Sequence, residues 1–286
     1  MKPYSDKAWL LLLPAAAIMC FVAVIPLLTV FNYSFHDIFT IDSRFWIGPE
    51  WYQEIVTSSR FHAALGRSLL FSAIVLAVQI PLGLWIAVLL LRAGRVATPM
   101  LMLLALPLVV PWNMIPSMWL TLVRDGTGPV WQALDTLGLT LDYKFNALHT
   151  WALIVAMDTW HWLGLVVILS YAGLAAIPQA YYQAAAIDGA SRLATFRHIE
   201  LPKIAGALSI VLLLRFMDSF LIYTEAFGIN AGGPQGATTF LSLDLGEDIK
   251  AYSYGSAAAR AMVYFLIVLS LVFAFVKLRQ TREAAT

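Results

Sequence analysis

Long runs of apolar residues recur along the whole chain, and polar residues collect between them. A bilayer core about 30 Å thick needs roughly 20 mainly apolar residues in a helix. Six runs of that size cover approximately residues 8–31, 68–91, 98–122, 147–172, 205–227 and 257–276. The first three contain no charged residue. The pattern predicts an all-α integral membrane bundle of about six transmembrane helices.

Composition and charge favour the same class of protein. The 286 residues are 60% hydrophobic and 12% charged, whereas ordinary soluble domains are about 25% charged. The formal net charge of +1 gives no reason to expect nucleic acid as a partner. Cys20 is the only cysteine, so no internal disulfide is possible. No Ser/Gly-rich or charged linker divides the runs, and we predict one domain over residues 1–286.

The first and third runs have special features. Lys2 and Lys7 precede the first run, as in a cleaved signal peptide, but the run is longer than an h-region of about 7 to 15 residues. It is therefore predicted to be a retained helix. The third run holds four prolines, which favour a kinked or broken helix inside the bundle. They are Pro99, Pro107, Pro111 and Pro116.

Basic residues in the connections predict the orientation, because Lys and Arg are retained on the cytoplasmic side. With the N-terminus inside, the cytoplasmic segments hold Lys2, Lys7, Arg92, Arg95, Arg192, Arg197, Lys203, Lys277, Arg279 and Arg282. Both chain termini are therefore predicted to be cytoplasmic.

The connection between the fourth and fifth runs, residues 177–202, is predicted to form two short helices on the cytoplasmic side. Residues 179–187 are rich in helix formers, and Gly189 can adopt the left-handed conformation that ends a helix. Ser191 can cap a second helix, which is predicted to end near Pro202.

This connection also has a surface suited to protein contact. Small alanines lie on one side, and Phe196 and Ile199 are predicted to be displayed for docking into a groove of another protein. An amphipathic linker at the lipid interface fits the same residues equally well. The motif favours docking, because Gln-Ala-Ala-Ala-Ile-Asp-Gly-Ala over residues 183–190, with the later Phe196, Ile199, Leu201 and Pro202, closely resembles the EAA loop of ABC importer permeases. The resemblance is to the carbohydrate subfamily, which includes maltose and glycerol-phosphate transporters.

The resemblance implies a type I ABC importer permease fold, in which this loop fits a cleft on an ATPase subunit. We call residues 177–202 the coupling loop. Its implied ATPase contacts are Gln183, Ala184, Ala185, Asp188, Gly189, Ala190 and Phe196. Gln183 replaces the usual Glu and keeps a hydrogen-bonding tip without the charge. Gly206 replaces a second Pro that often follows the Leu-Pro pair.

The likeness continues toward the C-terminus. Gly232-Gly233-Pro234 and residues 238–242 and 254–258 look like the family's loop between its last two helices. The resemblance implies a second homologous permease, two ATPase subunits that bind ATP and Mg, and an extracytoplasmic binding protein, in a bacterial inner membrane. The chain has no Gly-x-x-x-x-Gly-Lys-Ser/Thr loop. This absence fits a permease whose ATP is bound by another subunit, and it would equally fit a transporter driven by an ion gradient. No cofactor, metal or catalytic residue is assigned here.

Ionisable groups within the predicted spans need a reason, because each costs about 2.5 to 3.5 kcal/mol on insertion scales. They accompany tryptophans in the fourth run and form a stripe in the fifth. The predicted ligand contacts are Trp151, Asp158, Trp160, His161, Trp162, Asp218 and Glu225. Carboxylates and indole faces suit the hydroxyls and C–H faces of a polyhydroxylated ligand.

Several of these groups also have a structural interpretation. Arg215 and Asp218, at i and i+3, are predicted mainly to neutralise each other as an ion pair. Ligand contact and structural hydrogen bonding are equally open for Asp158 and His161. Glu225 lies near the outer end of its run, where solvation would explain it as well.

These features favour an importer permease over two other classes of protein. A secondary transporter driven by an ion gradient would be expected to show repeats or paired broken helices in its two halves. A membrane enzyme using His149, Asp158 and His161 would have no strong metal-binding spacing. Residues 215–227 look more like permeases for glycerol or related polyols than like those for maltose, so the predicted substrate is a small polyol or a sugar.

Overall fold

The computed structural model describes residues 10–38 and 43–283. The helices and strands are α1 (Leu13–Met19), α2 (Ile25–Tyr33), β1 (His36–Ile38), β2 (Arg44–Trp46), α3 (Glu50–Thr57), α4 (Ser59–Leu90), α5 (Ala97–Val109), α6 (Ile115–Leu122), α7 (Pro129–Thr136), α8 (Ala147–Ala175), α9 (Gln179–Ile187), α10 (Arg192–Thr195), α11 (Leu201–Phe220), α12 (Thr224–Asn230), α13 (Leu241–Lys250) and α14 (Tyr254–Glu283). Two π-helical turns, Cys20–Val24 and Phe196–Glu200, follow α1 and α10. The start of the first predicted run, Lys2 and Lys7, and the side chain of Arg282 lie outside the described residues.

Five of the predicted runs are helices long and apolar enough to cross a membrane. They are Leu13–Tyr33, Ser59–Leu90, Ala147–Ala175, Arg192–Asn230 and Tyr254–Lys277. The third run is a pair of shorter helices, Gly94–Val109 and Trp112–Leu122, bent by 81°. Pro111 stands at the bend, where its ring and missing N–H end the first helix. The predicted all-α membrane bundle is confirmed, and the chain also forms the short antiparallel pair of β1 and β2.

The fifth predicted run differs from the structure at its outer end. One helix was expected over about residues 205–227, but α11 ends at Phe220 and α12 begins at Thr224. Between them the backbone leaves the helical region, with φ −130° and ψ −54° at Tyr223. The carbonyl of Ile222 accepts a hydrogen bond from Ser242 Oγ instead. Hydropathy along the run could not reveal a break whose backbone partner comes from a distant residue.

The helical structure of the coupling loop extends further than expected. The second loop helix was predicted to end near Pro202, whereas the chain stays helical from α10 through Phe196–Glu200 into α11. Pro202 lies in the first turn of α11. A proline inside a helix clashes with the carbonyl four residues earlier and lacks an N–H. The wider π-helical turn directly before it accommodates both demands.

Two compact units can be distinguished, and the first comprises the described residues up to His62 and from Asp244 onward. In it, α14 packs against α2, α3 and β1. The side chain of Asp244 is fully buried and accepts hydrogen bonds from Arg60, Arg260 and Tyr264. A buried carboxylate must be paired in this way to offset its lost hydration.

The second unit, Ala63–Leu243, has two apolar core clusters. One is built around Phe71, Ile115, Ile154 and Phe240, and the other around Leu84, Val167, Leu174 and Ile204. Helix α8 lies so close to α5 at Gly164 that an added Cβ would lie 1.9 Å from the carbonyl oxygen of Leu104. Only glycine permits this contact between the two backbones.

Candidate functional site: the intramembrane cluster and the coupling loop

Three helices of the second unit meet at a buried ion-pair cluster. Arg215 on α11 is 1% exposed, and its Nη2 lies 2.6 Å from Oδ2 of Asp158 on α8. Its Nη1 lies 2.5 Å from Oδ2 of Asp218, one turn further along α11. Gln79 on α4 accepts a hydrogen bond from Arg215 Nε and donates one to Asp158. The guanidinium therefore links α4, α8 and α11, and we call these four residues the central cluster.

Aromatic rings lie directly beside the central cluster. The guanidinium carbon of Arg215 is 4.7 Å from the centroid of the Trp162 ring, within the range of cation–π attraction. His161 meets Trp162 edge-on at 4.9 Å between centroids, and Trp112 contacts both rings. Nδ1 of His161 is buried and has no hydrogen-bond partner among the described residues. Charged and aromatic groups that were predicted from separate runs thus come together.

The central cluster is deep within the span. Helix α8 has 29 residues and is about 43 Å long at 1.5 Å per residue, and Asp158 lies near its middle. Asp158 is 2% exposed at its side chain, but Asp218 is 27% exposed. Asp218 is therefore the carboxylate of the central cluster that a bound molecule could reach most directly.

Glu225 is buried, and the solvated interpretation of this residue is wrong. The residue is 4% exposed and stands in the first turn of α12. It lies within electrostatic range of Asp158, Asp218 and Arg215. The guanidinium of Arg215 pairs with two carboxylates, and Glu225 adds a third within electrostatic range. Carboxylates in excess of the cation are acceptors for hydroxyl donors.

The two other predicted tryptophans have packing partners of their own. Trp151 donates through Nε1 to the carbonyl oxygen of Ala237 at 2.9 Å, and its ring meets Phe240. Trp160 packs edge-on against Trp119. Both rings border the core cluster around Phe71, so these contacts connect them with the apolar core rather than with Arg215.

Sequence reasoning missed Gln79 and Trp112. Gln79 is fully buried, and it is the one side-chain amide in the apolar run of residues 68–91. A lone amide in such a run signals a buried hydrogen-bond partner, because an unpaired one would be costly. Trp112 had no comparable signal, since it reaches the rings only through the 81° bend that precedes α6.

Most of the predicted ATPase contacts lie on the exposed face of the coupling loop. Gln183, Ala184, Asp188, Gly189 and Ala190 are exposed. Gly189 has φ +65°, the left-handed conformation that its residue type predicted, and Ser191 Oγ caps α10 by accepting from the N–H of Ala194. Ala185 differs, because it is 7% exposed and faces the chain itself.

The displayed apolar residues of the coupling loop are not the ones predicted. Phe196 and Ile199 are half-buried and pack against the core cluster around Leu174, so the expectation of their display is wrong. The exposed residues are Ile187 at 87% and Leu193 at 73%, on either side of the turn at Gly189. The π-helical turn that begins at Phe196 rotates this part of the helix, which no spacing rule for a regular helix anticipates.

Two of the three residues considered for enzyme chemistry, His149 and Asp158, are engaged in other contacts. In the part of the chain that the structure describes, no three His, Cys, Asp or Glu side chains come together as a group that could hold a metal ion. Nδ1 of His149 accepts a hydrogen bond from the backbone N–H of Asp142, and Asp158 pairs with Arg215.

Comparison with protein families places these features in context. A family described as "Binding-protein-dependent transport system inner membrane component" matches residues 79–282. The chain belongs to this family. The resemblance to ABC importer permeases, which was based on the coupling loop, is thereby confirmed, and the chain is an inner-membrane transport component.

Curated relatives from this family align over nearly the whole chain. The trehalose/maltose transport system permease protein MalF of Thermococcus litoralis is 27% identical over 281 residues, covering 98% of this chain and 95% of that protein. The diacetylchitobiose uptake system permease protein DasB of Streptomyces coelicolor is 28% identical, with 96% and 87% covered. The sn-glycerol-3-phosphate transport system permease protein UgpA of Yersinia pseudotuberculosis is 28% identical, with 94% of each chain covered.

Solved structures share the fold. A chain of a bacterial ABC transporter involved in the import of the acidic polysaccharide alginate superposes with a TM-score of 0.82 at 19% identity, over 96% of both chains. A second structure of a bacterial alginate ABC transporter, in complex with an alginate pentasaccharide-bound periplasmic protein, gives 0.76 at 20% identity. The ABC importer permease fold is therefore confirmed over 96% of the chain.

Proposed function

We propose that this chain is one permease subunit of an ATP-driven importer that moves a small polyol or a sugar into the cytoplasm by alternating access. Membership of a binding-protein-dependent transport family supports the importer class. The relatives are named as permeases for trehalose/maltose, diacetylchitobiose and sn-glycerol-3-phosphate. All of these are rich in hydroxyl groups, and they support a hydroxyl-rich substrate here.

The surface of the coupling loop is the observation that carries the importer proposal. Ile187 and Leu193 expose large apolar side chains beside a tight turn, an arrangement suited to insertion into a groove of a partner. We expect two ATPase subunits that bind ATP and Mg, a second homologous permease and an extracytoplasmic binding protein. Closure of the ATPases would push on the turn at Gly189 and rock the helices between outward- and inward-open states.

The central cluster and its aromatic neighbours are the proposed ligand site. Asp218 and Glu225 would accept hydrogen bonds from substrate hydroxyls, and Asp158 would hold Arg215 in position. Trp162 offers an apolar face to C–H groups, and the free Nδ1 of His161 offers a further polar contact. From their packed positions, Trp151 and Trp160 would support this site.

Within the hydroxyl-rich class we propose a glycerol-sized polyol, on the basis of the likeness of residues 215–227 to glycerol-type permeases. A cognate binding protein that prefers glycerol-sized ligands to disaccharides in calorimetry would support this. The opposite preference would replace the polyol by a sugar and leave the importer intact.

We also propose that both termini face the cytoplasm, in agreement with the distribution of Lys and Arg. Epitope tags at the two termini should be digested by protease only after cells are permeabilised. Digestion of either tag in intact spheroplasts would reverse the proposed orientation.

Reconstitution tests the function directly. The full chain, its permease partner and the ATPases in liposomes should hydrolyse ATP faster with loaded binding protein and should accumulate ligand only with ATP. Uptake that persists without ATP and collapses with the ion gradient would replace the importer by a secondary transporter. Failure of the chain to co-purify with an ATPase would also contradict the proposal.

A further inference from the structure

The π-helical turn Phe196–Glu200 interrupts an otherwise regular helical connection between the coupling loop and the span. Backbone angles stay helical on both sides, at Thr195 and at Leu201. A π-helical turn has wider hydrogen-bonded rings, and such turns are frequent at functional sites and at bends. It is therefore the point at which α10 can most easily pivot relative to α11.

An ion pair spans this turn. Nη1 of Arg192, at the start of α10, lies 2.7 Å from Oε1 of Glu200, at the end of the turn. The side chain of Glu200 is 2% exposed and that of Arg192 is 35% exposed. The carboxylate of the pair is thus buried, whereas the guanidinium is partly exposed at the surface.

The π-helical turn itself brings the two residues into register. Two turns of an α-helix take about 7.2 residues, so residues seven apart share a face. A π-helical turn adds about one residue, and positions eight apart, such as 192 and 200, then share a face. Across a regular helix positions eight apart would be turned by about 80° relative to each other. The π-helical turn therefore improves the register of the ion pair, and the ion pair in turn favours the π-helical turn.

The buried carboxylate also faces the first helix of the coupling loop. The hydroxyl of Tyr182 on α9 interacts electrostatically with Glu200, and burial together with this carboxylate raises the pKa of the hydroxyl. The two groups interact, but neither that hydroxyl nor Oε2 of Glu200 forms a hydrogen bond of ordinary geometry with a described residue. A cavity of about 540 Å³ lies beside these groups and is lined by Tyr182, Arg192, Glu200 and Leu174.

We propose that Glu200 is a positioning residue for energy coupling: with Arg192 it braces the π-helical turn, so that the coupling loop and α11 move as one body. The inference rests on the proposed function, because only an importer needs to transmit a push from this loop. Helix α11 also carries Arg215, about 22 Å away at 1.5 Å per residue. When the ion pair holds the π-helical turn rigid, movement of the coupling loop is transmitted to the central cluster. When the ion pair is broken, the turn bends and the movement does not reach the central cluster.

A distance measurement on the full chain tests the brace without any partner. Cys20, the sole cysteine, is exposed and would be replaced by serine. Spin labels at Leu193→Cys and Leu214→Cys, both exposed positions on opposite sides of the turn, should give one narrow distance distribution in nanodiscs. Glu200→Gln should broaden it, and Glu54→Gln, a matched change at an exposed position, should leave it narrow. A distribution that stays narrow in Glu200→Gln overturns the brace.

Transport by the reconstituted importer tests the consequence for coupling. Glu200→Gln and Arg192→Gln should each lower ligand transported per ATP hydrolysed by about fivefold. The double variant should lose no more than either single variant, because both remove the same pair. Tyr182→Phe should have a smaller effect of the same sign.

The outcomes distinguish this inference from the proposed function. If the unaltered chain shows no ATP-driven uptake, the importer proposal is contradicted. The distances between the spin labels still decide whether Arg192 and Glu200 hold the π-helical turn rigid. If uptake is normal, an unchanged transport ratio in Glu200→Gln, or additive losses in the double variant, overturns the role of Glu200. A lowered melting temperature with an unchanged ratio would assign Glu200 to stability alone.

Discussion

Arg215 and Asp158 form an ion pair of 2.6 Å between two transmembrane helices, and neither side chain is more than 2% exposed. A pair buried to this degree repays its lost hydration only if each charge keeps its partner. Both residues share further contacts with Gln79, so the pair is the centre of a network and its members should respond together to substitution.

Removal of the cation alone should be more harmful than removal of both charges. Arg215→Gln leaves the carboxylate of Asp158 buried without a cation, and it should lower the free energy of unfolding by about 3 to 5 kcal/mol. The double variant Arg215→Gln with Asp158→Asn should recover part of that loss. Thermal melting of the purified chain measures both. A double variant less stable than Arg215→Gln would contradict the ion-pair account.

The contact at Gly164 should tolerate no side chain. In Gly164→Ala the new Cβ would meet the carbonyl of Leu104, a backbone atom that cannot rotate away, and overpacking of this kind costs about 1 to 3 kcal/mol or more. Gly206→Ala is the matched control, because nothing lies within 4 Å of its added Cβ. That change should be neutral or stabilise α11 by about 0.5 to 1 kcal/mol. Equal melting temperatures for the two variants would disprove the close approach.

A bulky residue at Gly189 should impair transport more strongly than it lowers the stability of the chain. Gly189 and Gly138 both have positive φ, of +65° and +71°, with open space around them. A tryptophan at either position should cost about 1 to 2 kcal/mol of backbone strain. Only Gly189→Trp should abolish uptake per ATP hydrolysed, because only that turn belongs to the coupling loop. Equal uptake by Gly189→Trp and Gly138→Trp would remove the turn from the coupling surface.

The first unit should depend on Asp244. Asp244→Asn keeps the shape but removes the charge that Arg60 and Arg260 share, while Arg60 keeps Glu247 and Arg260 keeps Asp248. The loss of these charged hydrogen bonds should cost about 1.5 to 3 kcal/mol. Glu247→Gln changes a side chain that is 45% exposed, and it should stay within about 0.5 kcal/mol of the unaltered chain. Chemical unfolding in detergent compares the two. Similar losses for both variants would mean that burial of Asp244 contributes little.

The helices could be predicted from the sequence because membrane spans obey a length rule that apolar runs reveal directly. The coupling loop could be predicted because its motif is local. The break before Thr224 could not, since it depends on a hydrogen bond from Ser242. The central cluster was anticipated only in part, because the meeting of Gln79 with Asp158 and Arg215 depends on how three helices pack. Phe196 was misplaced because a π-helical turn shifts the register that a regular helix would give.

The glycine contact between α5 and α8 restricts the kinds of motion that a transport cycle can use. Two helices whose backbones touch at Gly164 cannot roll or slide past each other without first separating, so they move as a rigid pair. Bending is easier at the interruptions, at Pro111, at residues 221–223 and, when its ion pair is broken, at the π-helical turn Phe196–Glu200. Flexibility is therefore concentrated at these few interruptions of the helices. Making one of them more rigid should slow the transport cycle without altering the packing of α5 against α8.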